Sequence, residues 1–402
     1  MLIETCFTAN AVPVRSSRYV CSQPRAYTRK DQCVIADVLS CGLEDPSRVS
    51  LVLHMSADRF DAEQIRKQLQ NWKGPISLGI AFPRWTKFGS PQLLRVWREL
   101  EALQTEVANS KWSLSVHFLL TRYTNCNDGD VEVIKRRLKT PSVLSGTWPR
   151  SKPRFSACKG SCVKTNAHMM HSYPVNTIRN IARENSKTDF ILIGDMEHYF
   201  SDGFEKKMAK LAGETFANDP KTVLVYRIFE VEEAPIEPPL SNDDLFRMFR
   251  ARTATVFHTE HDGHKIDGLA EWFAHSNETA DIQLYLPYDR REWEPQFVSR
   301  RDIPLHDETF SYPQRDNTVL RWEMCRAGYK WAVVHDVFMY HPVAKVKKVN
   351  NPLEVARELS LKTYDDKLSA FLNRMDRLYP ETYHKCPQVA SASEIDLTIR
   401  SY

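Results

Sequence analysis

The sequence predicts an α/β protein with a mostly parallel, doubly wound sheet, and three observations carry that prediction. First, from Val49 onward the β-rich runs VSLVLHM, PISLGIAF and LSVHFLL alternate with helical stretches. Strand, helix, strand with short links implies right-handed βαβ units and parallel pairing. Second, the apolar run Phe190 to Ile193 stops abruptly in Gly194-Asp195-Met196-Glu197, as a buried strand does where it leaves a sheet. Third, 402 residues with 42% hydrophobic and 11% aromatic side chains supply a sizeable core, for two to three ordinary domains or one large one.

The elements follow in chain order. Residues 1–48 hold Cys6, Cys21, Cys33 and Cys41 with little periodic structure, which reads as a disulfide-stapled lumenal stem or, failing that, a reduced cytosolic arm. Ser90-Pro91 is an N-cap and first-turn pair opening a helix with Leu93, Trp97, Leu100 and Val107 on one face. A polar, basic stretch from about Thr124 to Lys164 interrupts the alternation. A helix then begins near Tyr173-Pro174, with Val175, Ile178 and Ile181 on one face. Beyond Glu197 come a helix (about Phe204 to Ala212), a strand (Val223 to Phe229) and a turn rich in proline at 235, 238 and 239. A helical stretch near Asp316 to Ala327, a strand from Trp331 to Phe338 and one amphipathic helix from Leu353 to Leu378 complete the chain. There is no internal repeat and no low-complexity segment.

Composition excludes several function classes. Lys and Arg number 55 against 51 Asp and Glu, a net +4, which by itself says little about nucleic acid and leaves anionic substrates comfortable; no nucleic-acid partner is expected. Only 13 glycines are present, and neither GxGxxG nor GxxxxGK[ST] occurs, so dinucleotide and P-loop readings fall. Apolar runs such as Ile76 to Phe82 are far below the roughly 18 residues of a membrane span. The opening MLIETCFTANAVP has no basic n-region, so membrane attachment is expected only through an anchor not present in this chain. Cys158 and Cys162 lack a second ligand pair at zinc-finger spacing, and a local disulfide is the simpler expectation. His258, His261 and His264 in FHTEHDGH suggest a metallohydrolase only if helical, and Gly263 argues for a loop. Asn277-Glu278-Thr279 is a glycosylation sequon, usable only in the secretory lumen.

Asp195 and Glu197 stand at the carboxyl end of the central strand, where open α/β sheets bind ligands. In an extended segment residues i and i+2 point the same way, so the two carboxylates form a hard-oxygen site for Mn2+ or Mg2+ bridging nucleotide phosphates. Alone, D-x-E equally describes a solvated turn.

The stretch YPVNTIRNIARENSKTDFILIGDMEHYF, residues 173 to 200, resembles the central block of glycosyltransferase family 49, with its LARGE-type and β-1,4-glucuronyltransferase-like members. A second block agrees: Trp293-Glu294-Pro295-Gln296, then His306-Asp307-Glu308-Thr309-Phe310, Ala327-Gly328-Tyr329 and Phe338-Met339-Tyr340-His341. Glu197 replaces the family's second Asp, and Thr309 replaces the Arg of D-E-R-F. The usually Gly-rich segment reads Ser311-Tyr312-Pro313-Gln314, and the chain looks closer to the branch labelled β-1,3-N-acetylglucosaminyltransferase-related.

The resemblance implies a GT-A fold over 49–350, with a nucleotide-sugar half (49–230), an acceptor half (231–350) and a helical tail (351–402). It further implies an inverting transfer from a UDP-sugar, UDP-glucuronic acid or UDP-N-acetylglucosamine, to a glycan or glycoprotein acceptor. The expected setting is the Golgi lumen, as the ectodomain of a type II membrane protein. Asp195, Glu197 and His341 are the implied metal ligands; Arg179 and Asn180 join Asp195 in reaching the nucleotide. For the base, Asp307 and Glu308 rank first and Asp316 competes, although Asp316 is also a good helix cap. The alternative is a catalytically silent relative that serves as partner to an active transferase.

Overall fold

The computed structural model describes residues 18–84, 86–121, 125–140, 161–233, 237–258, 262–275, 279–343, 351–389 and 391–392. Cys6, Cys158, His261 and the sequon Asn277-Glu278 lie outside them. Residues 18–44, read above as a stem, are instead three strands of the main sheet: β1 (Arg18–Cys21), β2 (Arg25–Arg29) and β3 (Gln32–Glu44). The physical reason is the run CVIADVL, whose Cys33, Val34, Ile35 and Ala36 are fully buried. Two buried cysteines in that neighbourhood act as apolar core residues as well as cross-links.

Strand β4 (Val49–Ser56) is buried on both faces over VSLVL, the signature of a central parallel strand. It pairs in parallel with β5 (Pro75–Ala81), which pairs in parallel with β6 (Ser113–Thr121). The crossovers are α1 (Ala62–Trp72), capped by Asp61, and α2 (Pro91–Ser110), capped by Ser90 as expected. Leu93, Trp97, Leu100 and Val107 of α2 are all buried. On the other side of β4 lies β7 (Phe190–Ile193), also parallel. The strand order therefore reverses between β4 and β7. The polar stretch before it contains α3 (Asp128–Leu138), opened by an Asn127/Asp130 capping box, and α4 (Ser161–His171).

Helix α5 (Val175–Glu184) packs on β4 and β5, and Gly79 permits the approach: a Cβ there would stand 2.6 Å from Ile178 Cγ1 and 3.0 Å from its carbonyl oxygen. Further on are β8 (Tyr199–Phe200), α6 (Phe204–Asn218), β9 (Thr222–Glu232), α7 (Asn242–Arg250), β10 (Ala254–Val256) and α8 (Leu269–Ala274). Then come β11 (Ile282–Leu286), β12 (Gln296–Arg300), α9 (Thr318–Arg326) and β13 (Lys330–Val343). The sheet runs β1-β3-β6-β5-β4-β7-β12-β9-β13-β11, and β12 lies antiparallel between β7 and β9. It is a mixed sheet with a parallel centre. The single helix expected over 353–378 is two, α10 (Asn351–Leu361) and α11 (Tyr364–Leu378), separated at Lys362-Thr363. Nor is α11 a loose tail: Tyr364, Leu368, Phe371 and Met375 share a core with Phe310 and Trp322.

Among the described residues, three disulfides cross-link these pieces. Cys21–Cys41 joins β1 to β3, as expected of the first cysteines; Cys33–Cys126 joins β3 to the start of α3, and Cys325–Cys386 joins α9 to the segment after α11. No helix among the described residues is long and apolar enough to cross a membrane.

Candidate active site

Strand β7 leaves the sheet at Ile193, so Asp195 falls at the β4/β7 reversal, the position where ligands bind in such sheets. The segment does not stay extended: Met196 and Glu197 form a turn closed by the His198 amide donating to the Asp195 carbonyl at 3.1 Å. The expected same-side pairing of i and i+2 therefore gives way to a different arrangement. Met196 is buried, Glu197 is exposed, and His198 folds back to Asp195.

The Asp195 carboxylate faces three nitrogen donors. His54 Nε2 is 3.1 Å from Oδ1, His198 Nε2 is 3.7 Å from Oδ2, and Arg179 Nη2 is 3.8 Å from Oδ1. Burial pushes this carboxyl up, but the close approach of His54, His198 and Arg179 outweighs it and holds it well below the usual carboxylate range. Behind His54, its Nδ1 meets the Tyr173 hydroxyl at 2.9 Å. Burial raises the Tyr173 phenol, so it stays protonated beside that ring. The His198 Nδ1 accepts from the Asp195 amide at 3.1 Å, and burial lowers that ring to about 4, so it is neutral near pH 7. His54, Tyr173 and His198 were not singled out from sequence. Each is a lone residue, and only folding makes them neighbours.

Pairing of β8 with β13, Tyr199 against Tyr340, brings His341 beside this turn, with its ring centroid 6.2 Å from that of His198. Its Nδ1 is buried without a hydrogen-bond partner among the described residues. The ligand atoms of Asp195, Glu197 and His341 are not gathered within 4.8 Å of one another. Two carboxylates and an unpartnered imidazole nitrogen nevertheless fit the donor chemistry of a divalent cation that takes further ligands from phosphate.

Helix α5 is buried on its polar face too. Arg179 Nη1 donates to Asp316 Oδ2 at 2.7 Å, and Asn176 Nδ2 donates to the carbonyls of Asp307 and Asp316 at 2.8 and 2.9 Å. Asn180 exchanges hydrogen bonds with the His306 backbone and donates to Glu308 Oε1 at 2.9 Å. Arg183 donates to the carbonyls of Arg301 and Pro304 and also to that of Ile303. These residues clamp the loop 301–316. Asn180 is spent on that loop, and Arg179 bridges Asp195 and Asp316.

The three candidate bases separate clearly. Asp307 Oδ1 accepts from Thr309, and Oδ2 accepts from Arg374 at 2.8 Å. Glu308 is held by Arg29 at 2.6 Å and Lys30 at 3.0 Å; burial opposes these contacts, but they and Asn180 lower its pKa to about 2. Asp316 is not a cap, since Asn317 holds that position. It is buried against Arg179, and burial raises its pKa despite that partner. Of the three, Asp316 alone shares Arg179 with Asp195.

His264 lies in a short 3-10 turn rather than a helix, its ring 5.9 Å from that of His258. A cavity of about 310 Å³ is lined by Arg227, Phe229, Val256, His264, Lys265 and Gly268, among others, and by none of the Asp195 cluster.

A parallel-centred sheet that reverses at an acidic strand end places Asp195 where open α/β sheets bind ligands. The chain belongs to the family described as glycosyl-transferase for dystroglycan, whose model matches residues 48–380. It is similar to the beta-1,4-glucuronyltransferase 1 of Mus musculus, 22% identical over 350 residues, covering 85% of this chain and 78% of that protein. It also resembles the xylosyl- and glucuronyltransferase LARGE1 of Homo sapiens, 26% identical over 171 residues, which cover 42% of this chain and 22% of that protein. Among solved structures, S. aureus TarS matches with a TM-score of 0.36 and 12% identity over 82% of this chain and 43% of that one.

Proposed function

We propose that the protein is an inverting, Mn2+- or Mg2+-dependent transferase that moves glucuronic acid or N-acetylglucosamine from its UDP-sugar to a glycan or glycoprotein acceptor in the Golgi lumen. The observation that carries this reading is Asp195 at the β4/β7 reversal, inside the segment that matches the family. The disulfides among the described residues support an oxidising compartment. Asp195, Glu197 and His341 would hold the cation, which when bound offsets the charge of the departing diphosphate. Arg179 keeps Asp195 and Asp316 apart in charge and fixed in position. Asp316, whose basicity is raised by burial, takes the proton from the acceptor hydroxyl as the new glycosidic bond forms and UDP leaves. Release of UDP from each UDP-sugar, measured with Mn2+ and with and without acceptor glycans, tests the reading. Acceptor-stimulated, Mn2+-dependent release from one donor is expected. Release from none, with UDP still bound, would instead identify a silent relative.

A further inference from the structure

His275, Asp281 and His335 meet at the edge of the sheet, drawn from three elements. His275 closes α8, Asp281 precedes the edge strand β11, and His335 lies within β13 at the register irregularity between Val333 and Phe338. His335 Nδ1 is 2.8 Å from Asp281 Oδ1, and its amide donates to the Asp281 carbonyl at 2.9 Å. His275 Nε2 is 3.5 Å from Asp281 Oδ2, and the two imidazoles stack with centroids 3.7 Å apart and planes 4° from parallel. One ligand atom from each residue lies within 4.8 Å of the others. A second observation points the same way: His275 Nδ1 is buried with no hydrogen-bond partner among the described residues. A buried ring nitrogen without a partner is costly unless a ligand satisfies it.

We propose that His275, Asp281 and His335 form a zinc site distinct from the donor site. Two imidazole nitrogens and one carboxylate oxygen are a borderline donor set that suits Zn2+ and leaves a fourth position to water, whereas the donor site, with two carboxylates to one imidazole, suits a harder ion. The site is separate because His335 and His341 are six residues apart on one strand, roughly 20 Å at about 3.3 Å per residue. Side-chain exposures of 27%, 46% and 13% for His275, Asp281 and His335 let an ion enter without unfolding. Parallel rings must tilt for their lone pairs to converge, and His275, at the end of a six-residue helix and more exposed than His335, has the more open setting for that tilt. Once bound, zinc ties α8 and β11 to β13. Because β11 pairs only with β13 among the described residues, it has most to gain from such a tie.

The test removes the donor site first. The Asp195→Asn, Glu197→Gln double variant is stripped with EDTA, loaded with Zn2+ alone, dialysed, and assayed for zinc per chain and for thermal unfolding. One zinc per chain and a higher Tm with zinc are expected. Adding His275→Ala or, separately, Asp281→Asn should abolish both while the far-UV circular dichroism is unchanged. Absence of retained zinc on the double-variant background overturns the proposal, and so does zinc retention that neither added substitution reduces. Neither result bears on whether Asp195 binds a donor, so the two readings fail independently.

Discussion

At the residue scale, the three carboxylates proposed as bases differ in what already occupies them. Asp307 and Glu308 have their oxygens committed to Arg374, Thr309, Arg29, Lys30 and Asn180, so they hold loop 301–316 in place. A carboxylate lowered to about 2 is also a poor proton acceptor near neutral pH. Asp316→Asn is therefore expected to cut transfer by roughly 10²- to 10⁴-fold with UDP affinity nearly unchanged. Asp307→Asn and Glu308→Gln should instead lower stability, by about 1–3 kcal/mol each, as partners of buried or half-buried charges are lost. Parallel transfer assays and urea titrations check this; full activity in Asp316→Asn would return the base to the 307–308 pair. That order reverses the one the motif suggests, because a sequence records acidic residues but not which guanidinium they face.

At the element scale, α5 explains both what was legible and what was not. Its apolar stripe, Val175, Ile178 and Ile181, was plain from spacing, as was the end of β7 at the acidic residues. The opposite stripe, Asn176, Arg179, Asn180 and Arg183, has the same helical period and looks like a solvent face. It is buried because it satisfies backbone carbonyls of a loop more than 110 residues away in sequence. The one available hint was its chemistry: asparagine and arginine rather than lysine and glutamate, groups suited to bidentate or multiple donation. Because Gly79 lets this helix close on β5, Gly79→Ala is expected to destabilise the fold by about 1–3 kcal/mol, its Cβ pressing on Ile178. Chemical denaturation measures it; an unchanged midpoint would mean that α5 can shift freely, and the clamp on the loop with it.

Over the whole molecule, residues 18–44 were misread because cysteine spacing drew attention from the apolar run they flank, and β12 was missed because five residues inserted antiparallel between β7 and β9 leave no local mark. Buried histidines couple the fold to pH. His117 accepts from the Asp37 amide at 3.1 Å, and burial lowers its pKa to about 4 from 6.5. The unfolded chain therefore binds a proton between those values that the folded chain refuses. Stability is full above pH 6.5 and falls toward pH 4, by up to about 3 kcal/mol from this group. His264 is lowered to about 4 by burial as well and acts in the same direction. Urea midpoints at pH 7.5 and 4.5 should differ accordingly, less so in His117→Phe; midpoints that rise on acidification would contradict the assignment. The central claim is that the strand end at Asp195 is a metal-dependent donor site. Calorimetric titration of UDP into the intact protein, with and without Mn2+, tests it most directly when repeated on Asp195→Asn. The account predicts binding that needs Mn2+ and is lost in the variant with its fold intact, whereas equal Mn2+-dependent affinity in both proteins would contradict it.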